Sequence, residues 1–106
     1  MNSRDIIPHG TFYTKQIYRT KDGQADYTFD IVQKSDGYRV YVDSQPSYDG
    51  RATDSHSTHR FTESGSGRQY ICFEGQLQTF SEAKAVASVW ADGTQRYIKT
   101  GKDIND

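Results

Sequence analysis

Residues 79–100 read TFSEAKAVASVWADGTQRYIKT, and the reading of this stretch decides the fold. Phe80, Ala83, Val86 with Ala87, Trp90, Thr94, and Tyr97 with Ile98 recur every three or four residues, which is the spacing of one face of a helix. Lys84, Ser88, Asp92, Gln95 and Lys99 fall mostly on the opposite side. Thr79 followed three residues later by Glu82 is a capping-box pattern, in which each side chain satisfies a backbone amide that the helix leaves open. Gly93 costs up to ~1 kcal/mol against Ala inside a helix and leaves a kink or a stop there open. Asp92 and Arg96, four apart, favour continuation, and Thr100-Gly101 supplies the C-terminal stop. A helix with a single apolar stripe is a cover, so the preceding residues must supply what it covers.

Upstream the periodicity changes from helical spacing to alternation. Residues 26–34 (DYTFDIVQK) put Tyr27, Phe29 and Ile31 on one face and Thr28, Asp30 and Lys34 on the other, with Val32 as the apolar exception. Ser35-Asp36-Gly37 is hairpin chemistry, and residues 38–43 (YRVYVD) answer it with Tyr38, Val40 and Val42 inward and Arg39, Tyr41 and Asp43 outward. Residues 12–20 (FYTKQIYRT) are strand-like in composition but alternate poorly, as in a strand covered on part of both faces or one carrying a bulge. Ser64-Gly65-Ser66-Gly67 turns a second hairpin; if Glu63 faces Arg68, then Phe61 faces Tyr70 and His59 faces Cys72.

The expected architecture is therefore α+β: an antiparallel sheet of about five strands, a three-stranded meander plus a hairpin, covered by one C-terminal helix. It occupies one domain: a polar lead-in (1–10) in which Ile6-Ile7 tuck before Pro8, the meander (11–43), a long loop (44–58), the hairpin (59–74), the helix (79–100) and a frayed tail (101–106). Leu, Ile, Val and Phe together supply only 18 of the 106 residues, so eight Tyr, five Phe and one Trp must carry much of the burial.

Charge and cysteine usage narrow the function classes. With 13 basic and 14 acidic residues, the chain has no global field for duplex nucleic acid or an anionic membrane. One cysteine, Cys72, forms no intramolecular disulfide, and no window resembles a signal peptide or a membrane span, so a cytoplasmic location is the expectation. His56 and His59 lie three apart, opposite faces of an extended chain, and with Cys72 they fall short of the converging ligands zinc needs. Cys72 sits in the apolar run 70–73, where a cysteine reads as a small hydrophobe rather than a nucleophile served by His59. No glycine-rich phosphate loop precedes a helix, and no carboxylate pair for hydrolysis is visible. The expectation is a non-enzymatic chain without metal or cofactor.

What remains is a region of cations, aromatics and hydroxyls. Arg39, Tyr41, Tyr48, Arg51, His56, His59, Arg60 and Arg68 form an interface-like set spread over the sheet's outer face, the long loop and the second hairpin. The main expectation is a small protein-binding domain, with a homodimer among the assemblies allowed. In size and style, with no motif behind it, the chain resembles small inhibitors encoded by phages or mobile elements, including the anti-CRISPR class. The alternative is a single-stranded nucleic-acid binder using the same loop and hairpin, since such grooves also mix aromatics with basic residues.

Overall fold

The structure is a computed structural model that describes residues 12–73 and 75–104; the lead-in with Ile6-Ile7 lies outside them. Its elements run β1 (Phe12–Arg19), β2 (Asp26–Lys34), β3 (Gly37–Ser44), a one-turn helix α1 (Ser55–Thr58), β4 (Arg60–Thr62), β5 (Gln69–Ile71) and α2 (Phe80–Thr100). The five strands form one antiparallel sheet in the order β1-β2-β3-β5-β4. This is the α+β architecture that the periodicities predict.

The alternation in β2 is the reason one face is apolar. Tyr27, Phe29 and Ile31 are buried together with Val40, Ile71 and Leu77, and α2 closes over them with Ala83, Ala87, Trp90 and Ala91. Three alanines on the contact face bring the helix close, and Trp90 fills the space between them. Its ring stands edge-on to Tyr27 and to Phe29, each with centroids 6.1 Å apart, the geometry that aromatic quadrupoles favour. The indole N–H, which would be costly to bury alone, donates to the Thr58 carbonyl at 2.9 Å.

Both ends of α2 follow the sequence signals. Thr79 Oγ1 accepts from the Glu82 amide at 3.1 Å while the Glu82 carboxylate accepts from the Thr79 amide at 3.0 Å, and Gly101 at φ 78° ends the helix. The helix runs through Gly93, where the sequence left a kink or a stop open. A Cβ there would lie 2.7 Å from Ile104 Cγ2 and 2.9 Å from its carbonyl oxygen, so the glycine makes room for the returning C-terminal segment. The tail to Ile104 is accordingly packed rather than frayed: Ile104 is buried with Tyr48 and Tyr97 in a second small core, and Arg96 donates to its carbonyl at 2.8 Å. Arg96 is thereby diverted from Asp92, which instead accepts from the Tyr18 hydroxyl at 2.6 Å and the Lys21 amide at 2.9 Å. Gln95, expected on the solvent side, is buried and accepts from the Tyr27 hydroxyl at 3.1 Å.

The connection 44–58 also differs from an aperiodic loop. Asp54 caps α1 by accepting from the Ser57 amide, the Tyr97 hydroxyl donates to the Ala52 carbonyl at 2.9 Å, and Arg51 Nε donates to the Ile98 carbonyl at 3.2 Å. The second hairpin is shorter than expected but has the predicted register, with Phe61 opposite Tyr70, the Glu63 amide on the Arg68 carbonyl at 2.7 Å and the Cys72 amide on the His59 carbonyl at 2.9 Å. The bulge falls not in β1, whose pairing with β2 is unbroken, but between β2 and β3, where Asp43 is the extra residue.

Candidate functional site

On the sheet face away from α2, backbone pairing places Lys15, Asp30, Tyr41, Tyr70 and Phe61 in one row across all five strands. The row is aromatic at its β3-β5-β4 end: the Tyr41 and Tyr70 centroids are 6.1 Å apart, and those of Tyr70 and Phe61 are 5.8 Å apart. Guanidinium groups lie over two of these rings, Arg39 over Tyr70 at 4.3 Å and Arg68 over Tyr41 at 4.2 Å. Each such contact is worth about 0.5–2 kcal/mol depending on desolvation.

Carboxylates lock this layer. Glu63 Oε2 accepts from Arg39 Nη1 at 3.1 Å and from the Tyr41 hydroxyl, and Oε1 accepts from Ser66 Oγ at 2.6 Å. The Ser66 hydroxyl first, then that of Tyr41, stabilises the ionised form and holds the Glu63 carboxyl down to about 2. Asp30 accepts from Arg68 Nη2 at 2.5 Å and lies 3.4 Å from Lys15 Nζ, which also reaches Asp43 at 3.0 Å. The Glu63–Arg68 pair suggested by the hairpin is thus only a backbone pair; its two side chains reach across to β3 and β2 instead. Under this lattice Tyr41 is 3% exposed, whereas Phe61 at the β4 edge remains 44% exposed.

The predicted site residues separate into three groups. Arg39, Tyr41 and Arg68 come together: Tyr41 stands in the row, with Arg68 over its ring and Arg39 over that of Tyr70. Tyr48 and Arg60 meet elsewhere: Tyr48 is buried under the Arg60 guanidinium, 4.9 Å from its ring, and Arg60 also donates to Gln45 at 3.0 Å. Arg51 serves the C-terminal end of α2, His59 is the left-handed cap of α1 with Nε2 3.7 Å from Asp103, and His56 is exposed on α1. The last five residues therefore do not converge on the row. Phe61, Tyr70, Glu63, Asp30, Lys15 and Lys34 belong to it and were not among the predicted residues. The Phe61–Tyr70 pair follows from the hairpin register, but the β3–β5 pairing that joins it to Tyr41 has no local sequence signal.

His59 and Cys72 line a separate apolar groove of about 320 Å³ with Phe73, Val86, Val89 and Trp90. Among the described residues no cluster of three His, Cys, Asp or Glu side chains could hold a metal ion, and no helix is long and apolar enough to cross a membrane. No protein-family model, curated protein or solved structure matches this chain.

Proposed function

We propose that this chain is a non-enzymatic protein-binding domain whose recognition surface is the sheet face opposite α2, centred on Phe61, Tyr70 and Arg39. The observation that carries the reading is the register row itself: an aromatic ladder clamped by two stacked arginines ends in a half-exposed phenylalanine. Arginine and large aromatics are the residues that dominate binding energy at interfaces, and their side chains are here already held in place, which lowers the entropy lost on association. An inhibitor acting by occupancy needs nothing beyond such a face.

The nucleic-acid alternative is weaker on the same geometry. Base stacking needs open ring faces, but Tyr41 is covered by Arg68 and Lys34, and Tyr70 by Arg39.

A photo-crosslinking phenylalanine analogue at position 61, compared with the same group at exposed Gln24 in the β1–β2 turn, tests the reading in the native host. A dominant protein adduct at position 61 that is absent at position 24 is expected, and its loss on adding Arg39→Gln ties it to the row. An adduct with a second copy of the chain would make the partner the homodimer. Equal, diffuse labelling at both positions would sink the proposal.

A further inference from the structure

The partner's chemistry can be read from how charge is layered on this face, an inference that rests on the binding role proposed above. In each ion pair between described residues of the face the cation is the outer member. Side-chain exposure is 59% for Lys15 against 17% for Asp30, 35% for Arg68 against the same Asp30, and 36% for Arg39 against 25% for Glu63. The Arg19–Asp26 and Lys15–Asp43 pairs are ordered the same way. Asp30 and Glu63 form an inner layer that fixes the two arginines, and over them the layer presented outward is cationic although the whole chain carries −1. Each guanidinium has five N–H donors; the bonds to the inner carboxylates engage Nη1 of Arg39 and Nη2 of Arg68.

Apolar side chains flank this cationic band. Ile17, two residues along β1 from Lys15 and on the same face, is 72% exposed, and Phe61 stands at the far edge. Four inter-strand steps separate β1 from β4, about 19 Å, which an extended segment of about six residues spans. We infer that the face takes an acidic protein segment with apolar residues at its ends, its carboxylates meeting Arg39, Arg68 and Lys15 between Phe61 and Ile17. A continuous polyanion fits less well. Asp36, exposed in the β2–β3 turn, borders the Arg39 end, and Asp43 remains 41% exposed beside Lys15. Spaced carboxylates avoid both acids, whereas a phosphate at every step does not.

Selection of random peptides of about twelve residues, long enough to cross the face, against the immobilised full chain tests this. Enriched peptides should be rich in Asp and Glu with Leu, Ile or Phe beside them. Replacing their acids by Asn and Gln should weaken binding by about tenfold or more, as should Phe61→Ser in the protein, and affinity should fall as salt rises from about 0.1 to 1 M. Peptides that depend on Phe61 but show no acidic excess would overturn the inference and leave the binding face standing. No enrichment, or acidic peptides indifferent to Phe61→Ser, would overturn it as well. Tighter, Phe61-dependent binding of an oligothymidylate probe than of any peptide would replace it with the nucleic-acid reading.

Discussion

The two faces of this sheet are stabilised by opposite means. Beneath α2, Tyr27, Phe29, Ile31 and Val40 meet alanines and one tryptophan, and burial of apolar area does the work. On the other face Tyr41 is buried almost as completely, yet among the described residues no helix lies over it; the side chains of Arg68, Lys34 and Glu63 pack against it instead. The first face is closed by a rigid body and cannot be shared. The second is closed by long charged side chains whose outer atoms remain available to another molecule, which is why recognition is proposed there.

The sharpest way to break the contrast is to remove the central residue of each side. Trp90→Ala deletes the ring between Tyr27 and Phe29 and orphans the Thr58 carbonyl, and a loss of about 3–5 kcal/mol is expected in urea unfolding. Tyr41→Ala is expected to cost less, about 2–3 kcal/mol, because flexible Arg68 and Lys34 can settle into the vacated space where a helix cannot. Tyr41, expected from the alternation to point outward, is thus a packed residue of the charged layer, 3% exposed, rather than an open contact residue. Equal losses in the two variants would mean that the charged layer is as rigid as α2.

Gly93 sharpens the comparison on the helix side. Gly93→Ala improves helix propensity by up to ~1 kcal/mol, but its Cβ would sit 2.7 Å from Ile104 Cγ2. The chain segment after α2 must move, and a net loss of about 1–2 kcal/mol is expected. The Gly93→Ala and Ile104→Ala double variant should recover part of that loss. A Gly93→Ala protein more stable than the original would show that the Ile104 anchor contributes little.

Legibility in the sequence followed the same division. The covered face could be read because its signals are local: alternation in residues 26–34, a 3.6 period after Thr79, and a capping box within four residues. The face opposite α2 depends on β3 meeting β5, residues 41 and 70, and no local pattern encodes that pairing. Composition drew attention to Arg39, Tyr41 and Arg68 correctly as neighbours. It also swept in Tyr48, Arg51 and Arg60, whose cations and ring serve the second small core and the end of α2. Gly93 and Ile104 were illegible for a related reason: a glycine inside a helix and an isoleucine after it are explained only by each other, across a turn of chain the helical pattern does not cover.

The smallest effect expected is a change in acid sensitivity, and it isolates the charged layer from the apolar core. Glu63 ionises near the ordinary 4.5 in the unfolded chain and is held to about 2 in the fold by Ser66, Tyr41 and Arg39. A depressed carboxyl stabilises the fold fully above its unfolded value and loses that contribution as pH falls from about 4.5 towards 2. Glu63→Gln removes the titration, so the urea midpoint should drop less between neutral pH and pH about 3 than it does in the original chain, although its value at neutral pH is lower. Asp22 and Asp54, also depressed, by the hydroxyls of Thr20 and Ser57 first, titrate identically in both proteins and cancel from the difference. Identical acid limbs would mean that the Glu63 bonds on this face are not maintained in solution, and the outward cationic layer they organise would lose its support.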